Sequence, residues 1–187
     1  EPIAGQPREI EPPAPAQVAT LLTHLIEHEP EMAVLVRLAA ITGRRRGELA
    51  ALRWTDFDLD GGTVTVTRTL ADSASDGWVE RPITKNRSRT PPLSIDPATV
   101  ALLRSHRLAT REALLTVGLT LADDAHVFVR VLPGATGVAP WSPDGISRRF
   151  SRVRADLDLE RVRLHDLRHY VATTLLDQQV PVTTVAG

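Results

Sequence analysis

The amino-acid sequence predicts an α+β fold that is mainly α-helical and contains a small antiparallel sheet. Apolar residues recur at helical spacing over most of the chain, and this period gives way to β-branched runs between residues 60 and 93. The chain has 187 residues, 42% of them hydrophobic and 24% charged, which suits one globular domain with a sizeable core. This composition argues against a disordered protein, and no apolar run reaches the roughly 18 residues that a membrane span needs.

The first third of the chain predicts a linker and three helices. Residues 1–14 are rich in proline and predict an extended linker. Apolar spacing predicts one helix over 18–29 and a second over 32–42, which Gly43 terminates. A short third helix is predicted over 46–52.

Three short strands are predicted next, over 63–67, 78–83 and 89–93. The first is β-branched throughout, which favours a strand. Two prolines place the third at a sheet edge, because proline cannot donate to a neighbouring strand. The intervening segments are expected to be a loop over 71–77 and a polar turn over 84–88.

The second half predicts three further helices. Asp96 and Ser142 are each followed by proline, the arrangement of an N-cap and a first helical position, and they open helices that extend toward residues 115 and 155. Between these helices we expect a short apolar segment over 127–129 and a loop over 133–140. The next helix is predicted over 165–178.

Charge is distributed unevenly, although the net charge is −1. The segment 85–111 contains six basic residues and one acid, and such a local field attracts phosphates even on a neutral protein. Of the 22 basic residues 21 are arginine, and Lys85 is the single lysine. Since an ammonium donates a proton far more readily than a guanidinium, Lys85 is a candidate acid. The sequence contains no cysteine, which excludes disulfides and thiolate sites within it.

A first candidate cluster consists of Arg44, Arg45 and Arg46, followed by Glu48 at a predicted helix start. Cations there meet the positive end of the helix dipole, so a bound anion would offset the repulsion. Solvated arginines are the alternative interpretation.

A second cluster comprises Lys85, Arg87 and Arg89, which lie at and just beyond the tip of a predicted hairpin. A hairpin tip can reach over a substrate. A plain polar turn is the alternative.

A third cluster opens the predicted helix at residue 165. His165 and Arg168 are three residues apart and share a face. His165 and His169 have a spacing that suits a metal, but no further ligand completes a zinc signature. We therefore expect no metal here.

The three clusters together resemble the tyrosine recombinase (phage integrase) family. The resemblance lies in Gly43-x-Arg45-x-x-Glu48-Leu49, then the hairpin lysine, then His165-x-x-Arg168-His169. It covers residues 15–187 and implies the catalytic domain of that family and its fold. Residues 1–14 are then a linker from a missing core-binding domain. The arginine-rich composition is similar to that of integrases from actinobacterial phages or mobile elements.

The resemblance implies site-specific DNA recombination or integration. Members cut one strand with a tyrosine hydroxyl, which leaves a 3′-phosphotyrosine, and they use no metal or other cofactor. The matching residues are Arg45 and Arg168, which clamp the phosphate oxygens, Lys85, which protonates the leaving 5′-oxygen, and His165, a general acid–base, with Glu48 and His169 in supporting positions. Contacts to DNA are expected from Arg44, Arg46, Arg87 and Arg89. The implied partner is double-stranded DNA, bound by a tetramer of the full-length protein, in the cytoplasm and without a membrane partner.

The sequence departs from the family at its end. The family's nucleophilic tyrosine lies well beyond the second box, whereas this sequence stops at Gly187. Its one tyrosine, Tyr170, lies two residues after Arg168, which is the wrong place for the nucleophile. This piece is therefore expected not to cleave DNA.

Two alternatives remain open from sequence. The chain could be a non-catalytic DNA-binding regulator that retains the recombinase scaffold. It could also be an unrelated helical regulator that reads DNA with the arginine-rich helix that begins after Ser142. The integrase interpretation predicts that Arg45, His165 and Arg168 surround one basic pocket, and the last alternative predicts that they do not converge.

Overall fold

The computed structural model describes residues 13–73, 77–83, 91–159 and 161–167. Its helices in these ranges are α1 (Pro15–His28), α2 (Pro30–Thr42), α3 (Arg46–Ala50), α4 (Pro97–Leu115) and α5 (Pro143–Asp156). Its strands there are β1 (Phe57–Asp58), β2 (Thr63–Val64), β3 (Arg68–Ser73), β4 (Gly77–Pro82), β5 (Leu93–Ser94), β6 (Val129–Val131) and β7 (Val138–Pro140). Short 3₁₀ turns occupy Trp54–Asp56 and Pro133–Ala135.

The helix boundaries follow the local signals in the sequence. Gly43 ends α2 in the left-handed conformation, with φ of 61°. The Asp96 carboxylate accepts the N–H of Thr99 at the start of α4, and the Ser142 hydroxyl accepts the N–H of Gly145 at the start of α5. Both predicted N-caps are therefore confirmed, and so are the helices that they open.

The strands form three small antiparallel sheets in the described chain, whereas the sequence predicted one. Their orders are β1-β2-β5, β3-β4 and β6-β7. The third strand was predicted over 89–93, and β5 begins only at Leu93, while residues 89 and 90 lie outside the described residues. β5 lies at the edge of its sheet. The predicted strand over 63–67 is shorter than expected, since β2 comprises only Thr63 and Val64. The N–H of Thr65 extends the pairing with β1 by one hydrogen bond, to the carbonyl of Asp56.

Two segments predicted as loops are partly strands. Residues 71–73 continue β3, which pairs with β4 as far as Ser73 opposite Gly77. Within the predicted loop 133–140, residues 138–140 form β7 and pair with β6. Both predictions were wrong for the same reason, since backbone pairing with a neighbouring strand overrides weak local β-propensity.

The core lies around α2, in which every residue from Met32 to Ala40 except Arg37 is buried. Arg37 is the polar exception and donates to the side chains of Asp96 and Thr99, so that α2 is bound to the start of α4. α3 packs against β3 and α5. This arrangement places the N-terminus of α3 beside α5 at the surface.

Candidate active site

The first wall of the site is the N-terminus of α3, where Arg45 is the N-cap residue. Its N–H donates to Oε2 of Glu48 at 2.9 Å, and its Nη1 lies 4.0 Å from Oε1 of the same carboxylate. Glu48 is buried, whereas 56% of the Arg45 side chain is exposed. Glu48 therefore fixes the backbone of Arg45 and leaves the guanidinium accessible to a ligand.

Gly47 sets how closely α3 approaches the sheet. A Cβ at this position would lie 2.6 Å from the carbonyl oxygen of Leu70 and 2.8 Å from Oγ1 of Thr69, both on β3. Only glycine permits this contact without displacement. Gly47 was given no role from the sequence, although a glycine inside a predicted helix was an available signal.

The second wall is formed by α5 and the segment that leads to His165. Nη1 of Arg154 on α5 donates to the carbonyl of Val162 at 2.9 Å. The buried carboxylate of Asp166 accepts the N–H of Arg163 at 2.8 Å. As in the contact between Arg45 and Glu48, the carboxylate lies three residues after the donor in the sequence. These bonds fix the backbone on both sides of His165, whose side chain is exposed.

The two walls enclose a cavity of about 530 Å³ that brings Arg45 and His165 together. No carboxylate is among the described residues that line it, although Glu48 and Asp144 lie just behind Arg45 and Arg46. Ser147, Phe150 and Ser151 contribute the face from α5. The basic residues that line it are Arg44, Arg45, Arg46, Arg154, Arg163 and His165. A cavity lined by this many cations suits an anion such as a phosphate diester.

The flanking arginines of the first cluster differ in their surroundings. Arg44 is half-buried in the cavity wall. Nη1 of Arg46 donates to Oγ of Ser147 at 2.6 Å and lies 3.4 Å from Asp144, so this side chain joins α3 to α5. Sequence reasoning assigned no role to Arg154 or Arg163, because only the fold brings them to the cavity.

The remaining predicted site residues lie outside the described residues. These are Lys85, Arg87, Arg89, Arg168 and His169, together with Tyr170. The structure thus brings two of the four predicted catalytic residues, Arg45 and His165, to one cavity.

The basic residues of α4 and α5 are largely engaged within the protein. Arg104 and Arg107, from the predicted basic segment, pair with Asp60 and Asp123. Arg149 bonds to Glu29 and stacks on Trp141 with its Cζ 4.1 Å from the ring centroid. Arg148 and Arg152 on α5 are exposed, so it is the meeting of Arg45 with His165 at one cavity that argues against the unrelated regulator.

Among the described residues, no three side chains of histidine, aspartate or glutamate cluster as a metal site would require. No helix in the same ranges is both long and apolar enough to cross a bilayer.

The chain matches one protein family over nearly its whole length. The model of the phage integrase family matches residues 14–187. The chain is a member of the phage integrase family. The tyrosine recombinase resemblance is therefore confirmed at the level of the family.

Individual relatives agree with this classification. A tyrosine recombinase XerC-like protein of Caldanaerobacter subterraneus subsp. tengcongensis is 29% identical over 164 residues, which covers 81% of this chain and 40% of that protein. The ICEBs1 integrase of Bacillus subtilis is 29% identical over 148 residues, with 79% and 38% covered. The chain thus spans about two fifths of the length of these relatives.

The fold is that of a tyrosine recombinase catalytic domain. The Tn1549 transposon integrase, solved in complex with transposon right end DNA, superposes with a TM-score of 0.79 at 15% identity, covering 98% of this chain and 58% of that one. The XerA recombinase superposes with a TM-score of 0.67 at 19% identity, with 96% and 56% covered. The predicted class, mainly helical with small antiparallel sheets, is confirmed.

Proposed function

We propose that the whole protein is a site-specific DNA recombinase or integrase whose catalytic domain is residues 15–187. Residues 1–14 connect it to a core-binding domain. The observation that carries the proposal is the cavity in which Arg45 and His165, from distant parts of the sequence, meet among other cations. The partner we propose is double-stranded DNA, bound by a tetramer of the full-length protein in the cytoplasm.

The proposed reaction is cleavage of one strand without a metal. A tyrosine hydroxyl attacks the scissile phosphorus and forms a 3′-phosphotyrosine, while the bond to the 5′-oxygen breaks. Arg45 and Arg168 stabilise the charge that grows on the non-bridging oxygens, and loss of such a donor costs on the order of 10²–10³ in rate. His165 transfers a proton as general acid–base, and Lys85 protonates the leaving oxygen.

Supporting residues act around this centre. Glu48 positions Arg45 through its N–H, and we assign His169 to the same supporting group. Arg44, Arg46, Arg87 and Arg89 contact DNA phosphates in this proposal, so affinity falls as salt rises. Arg46 would exchange its bonds to α5 for a phosphate.

We further propose that residues 1–187 alone bind DNA without cleaving it. Their one tyrosine, Tyr170, lies two residues after Arg168, which is not the position of the nucleophile in the family. A longer chain that supplies the nucleophile from a later segment would cleave.

The test is covalent trapping with the full-length protein. A DNA substrate nicked beside the cleavage site loses its short 5′-hydroxyl fragment, so the protein–DNA adduct accumulates and is counted on a denaturing gel. We expect an adduct with the unmodified protein and a rate lower by about 10²–10³ for Arg45→Ala. Arg130→Ala is the matched control, since Arg130 is exposed on β6 and does not line the cavity. DNA binding without any adduct would instead support a non-catalytic regulator.

A further inference from the structure

Arg163 lies on the segment that leads to His165, and hydrogen bonds fix its backbone on both sides. Its N–H donates to the buried Asp166 carboxylate at 2.8 Å, and the N–H of Asp166 donates back to the Arg163 carbonyl at 3.0 Å. The carbonyl of the preceding residue, Val162, accepts Nη1 of Arg154 at 2.9 Å, and the Val162 side chain is buried. The Arg163 side chain therefore lines the cavity from a fixed backbone position, which lowers the cost of ordering it on a ligand.

The guanidinium of Arg163 differs from those of its neighbours in the cavity. Nη1 of Arg45 lies 4.0 Å from the Glu48 carboxylate, and Nη1 of Arg46 donates to Oγ of Ser147 at 2.6 Å. Within the described part of the chain, the Arg163 side chain is exposed and its guanidinium has no hydrogen-bond or ion-pair partner. Its planar set of N–H donors is therefore available to a bound anion.

The cavity carries more positive charge than one phosphate diester neutralises. Among the described residues five arginines line it, and two carboxylates behind the lining, those of Glu48 and Asp144, lie within 4.0 Å of their guanidinium nitrogens. A diester carries a single negative charge, so the scissile phosphate alone leaves part of this positive charge unmatched. Since like charges in one cleft repel each other, the lining is better matched by more than one phosphate of a strand.

Adjoining phosphates of one DNA strand lie within reach of neighbouring residues of this segment. Phosphates follow each other at about 3.4 Å of helix axis along a strand, and two residues of chain span at most about 7 Å. Arg163 precedes His165 by two residues, and both are exposed and line the cavity. A strand whose scissile phosphate meets Arg45 and His165 therefore brings the next phosphate within reach of the Arg163 side chain.

We propose that Arg163 binds a phosphate that adjoins the scissile phosphate on the same strand. It acts through binding, because it holds the strand so that the scissile phosphate lies against Arg45 and His165, and it takes no part in the chemical step. The inference rests on the proposed function, in which these two side chains bind the scissile phosphate.

Single methylphosphonates locate the phosphate that a side chain contacts. Replacement of one non-bridging oxygen by a methyl group removes the charge of one phosphate and leaves its shape nearly unchanged. When a side chain and a phosphate interact directly, removal of both costs less than the sum of the two separate losses. This coupling distinguishes a direct contact from general electrostatic attraction.

The experiment measures dissociation constants of the full-length protein and its variants on the recombination site. The duplex carries one methylphosphonate, placed at the scissile phosphate, at either neighbour or at a distant position. We expect Arg163→Ala to bind the all-phosphate duplex about tenfold more weakly, with a slope of log K against log salt that is smaller by about 0.9. A methylphosphonate at one adjoining phosphate should weaken the unmodified protein about tenfold and Arg163→Ala less than about threefold. At the distant position both proteins should lose affinity equally.

Arg161→Ala is the matched control, because Arg161 is exposed on the same segment and does not line the cavity. It removes the same charge and should keep the full response to a methylphosphonate beside the scissile phosphate. Arg163→Ala retains the N–H that donates to Asp166, so its urea midpoint should equal that of the unmodified protein. Arg163→Lys keeps the charge and should recover both the salt slope and the response to the adjoining methylphosphonate.

Coupling of Arg163 to neither adjoining phosphate, or to the scissile phosphate alone, would overturn this inference. Arg45→Ala tests the proposed function in the same series, since it should couple to the scissile phosphate. If Arg45 shows that coupling and Arg163 shows none, only the role of Arg163 is refuted. If the unmodified protein does not bind the site, or Arg45 couples to no phosphate, the proposed function is refuted and the role of Arg163 with it.

Discussion

The contact between α3 and β3 predicts the effect of Gly47→Ala. The new Cβ would lie 2.6 Å from the Leu70 carbonyl oxygen, well inside the 3.3 Å or more of ordinary C–H···O contacts. α3 must therefore move by several tenths of an ångström. Such overpacking costs about 1–3 kcal/mol, and the better helix propensity of alanine offsets about 1 kcal/mol. The expected net loss of stability is about 1 kcal/mol, the middle of a range of about 0–2 kcal/mol.

Urea unfolding followed by tryptophan fluorescence measures this loss, because Trp54 and Trp141 are buried. For a urea m-value of about 2–3 kcal/mol/M the midpoint should fall by about 0.5 M. Ala113→Gly is the control, since Ala113 is exposed on α4 and the change measures the difference in helix propensity between alanine and glycine without a packing change. A midpoint for Gly47→Ala at or above that of the unmodified chain would refute the packing argument.

Two further predictions concern carboxylates. Although burial opposes it, hydrogen bonds from Thr99 and Arg37 lower the pKa of Asp96 to about 2 from an ordinary 3.8. The carboxylate therefore stabilises the fold above pH 4 and loses this contribution as the pH falls toward 2. After discounting for its exposure, the contribution is about 1 kcal/mol. Urea unfolding at pH 6 and pH 2.5 should show a smaller acid loss for Asp96→Asn than for the unmodified chain, and equal losses would contradict this account. Glu48→Ala removes the acceptor for the Arg45 N–H and should cost about 1–2 kcal/mol in urea unfolding, with at least tenfold slower adduct formation. Glu48→Gln keeps an acceptor and should recover most of both, and failure to do so would show that the charge itself is required.

The helices were predictable because their signals are local. Asp96 and Ser142 each cap a helix by accepting an N–H from the residue three positions later in the sequence. Gly43 ends α2 because glycine readily adopts the left-handed conformation. The strand character of residues 71–73 was not predictable, because alanine, aspartate and serine have weak β-propensity and the pairing with β4 decides their conformation.

Of the residues at the candidate site, only those that belong to a sequence motif could be predicted. Arg45, Glu48 and His165 belong to the two boxes of the family, and the geometry of Glu48 agrees with the expectation that it orients the arginine. Arg154 and Arg163 have no motif and reach the cavity through tertiary packing. The hydrogen bonds from Arg53 and His126 to the Glu80 carboxylate could not be predicted either, because the three residues lie on separate segments of the chain.

The central claim is that Arg45 and His165 bind one scissile phosphate. A structure of the full-length protein on its DNA site tests it most directly, through the distances from the scissile phosphate to these two side chains. We predict a non-bridging oxygen about 2.7–2.9 Å from an Arg45 guanidinium nitrogen, with the His165 ring facing the same phosphate. A scissile phosphate bound outside this cavity, for example against the arginines of α4, would contradict the account.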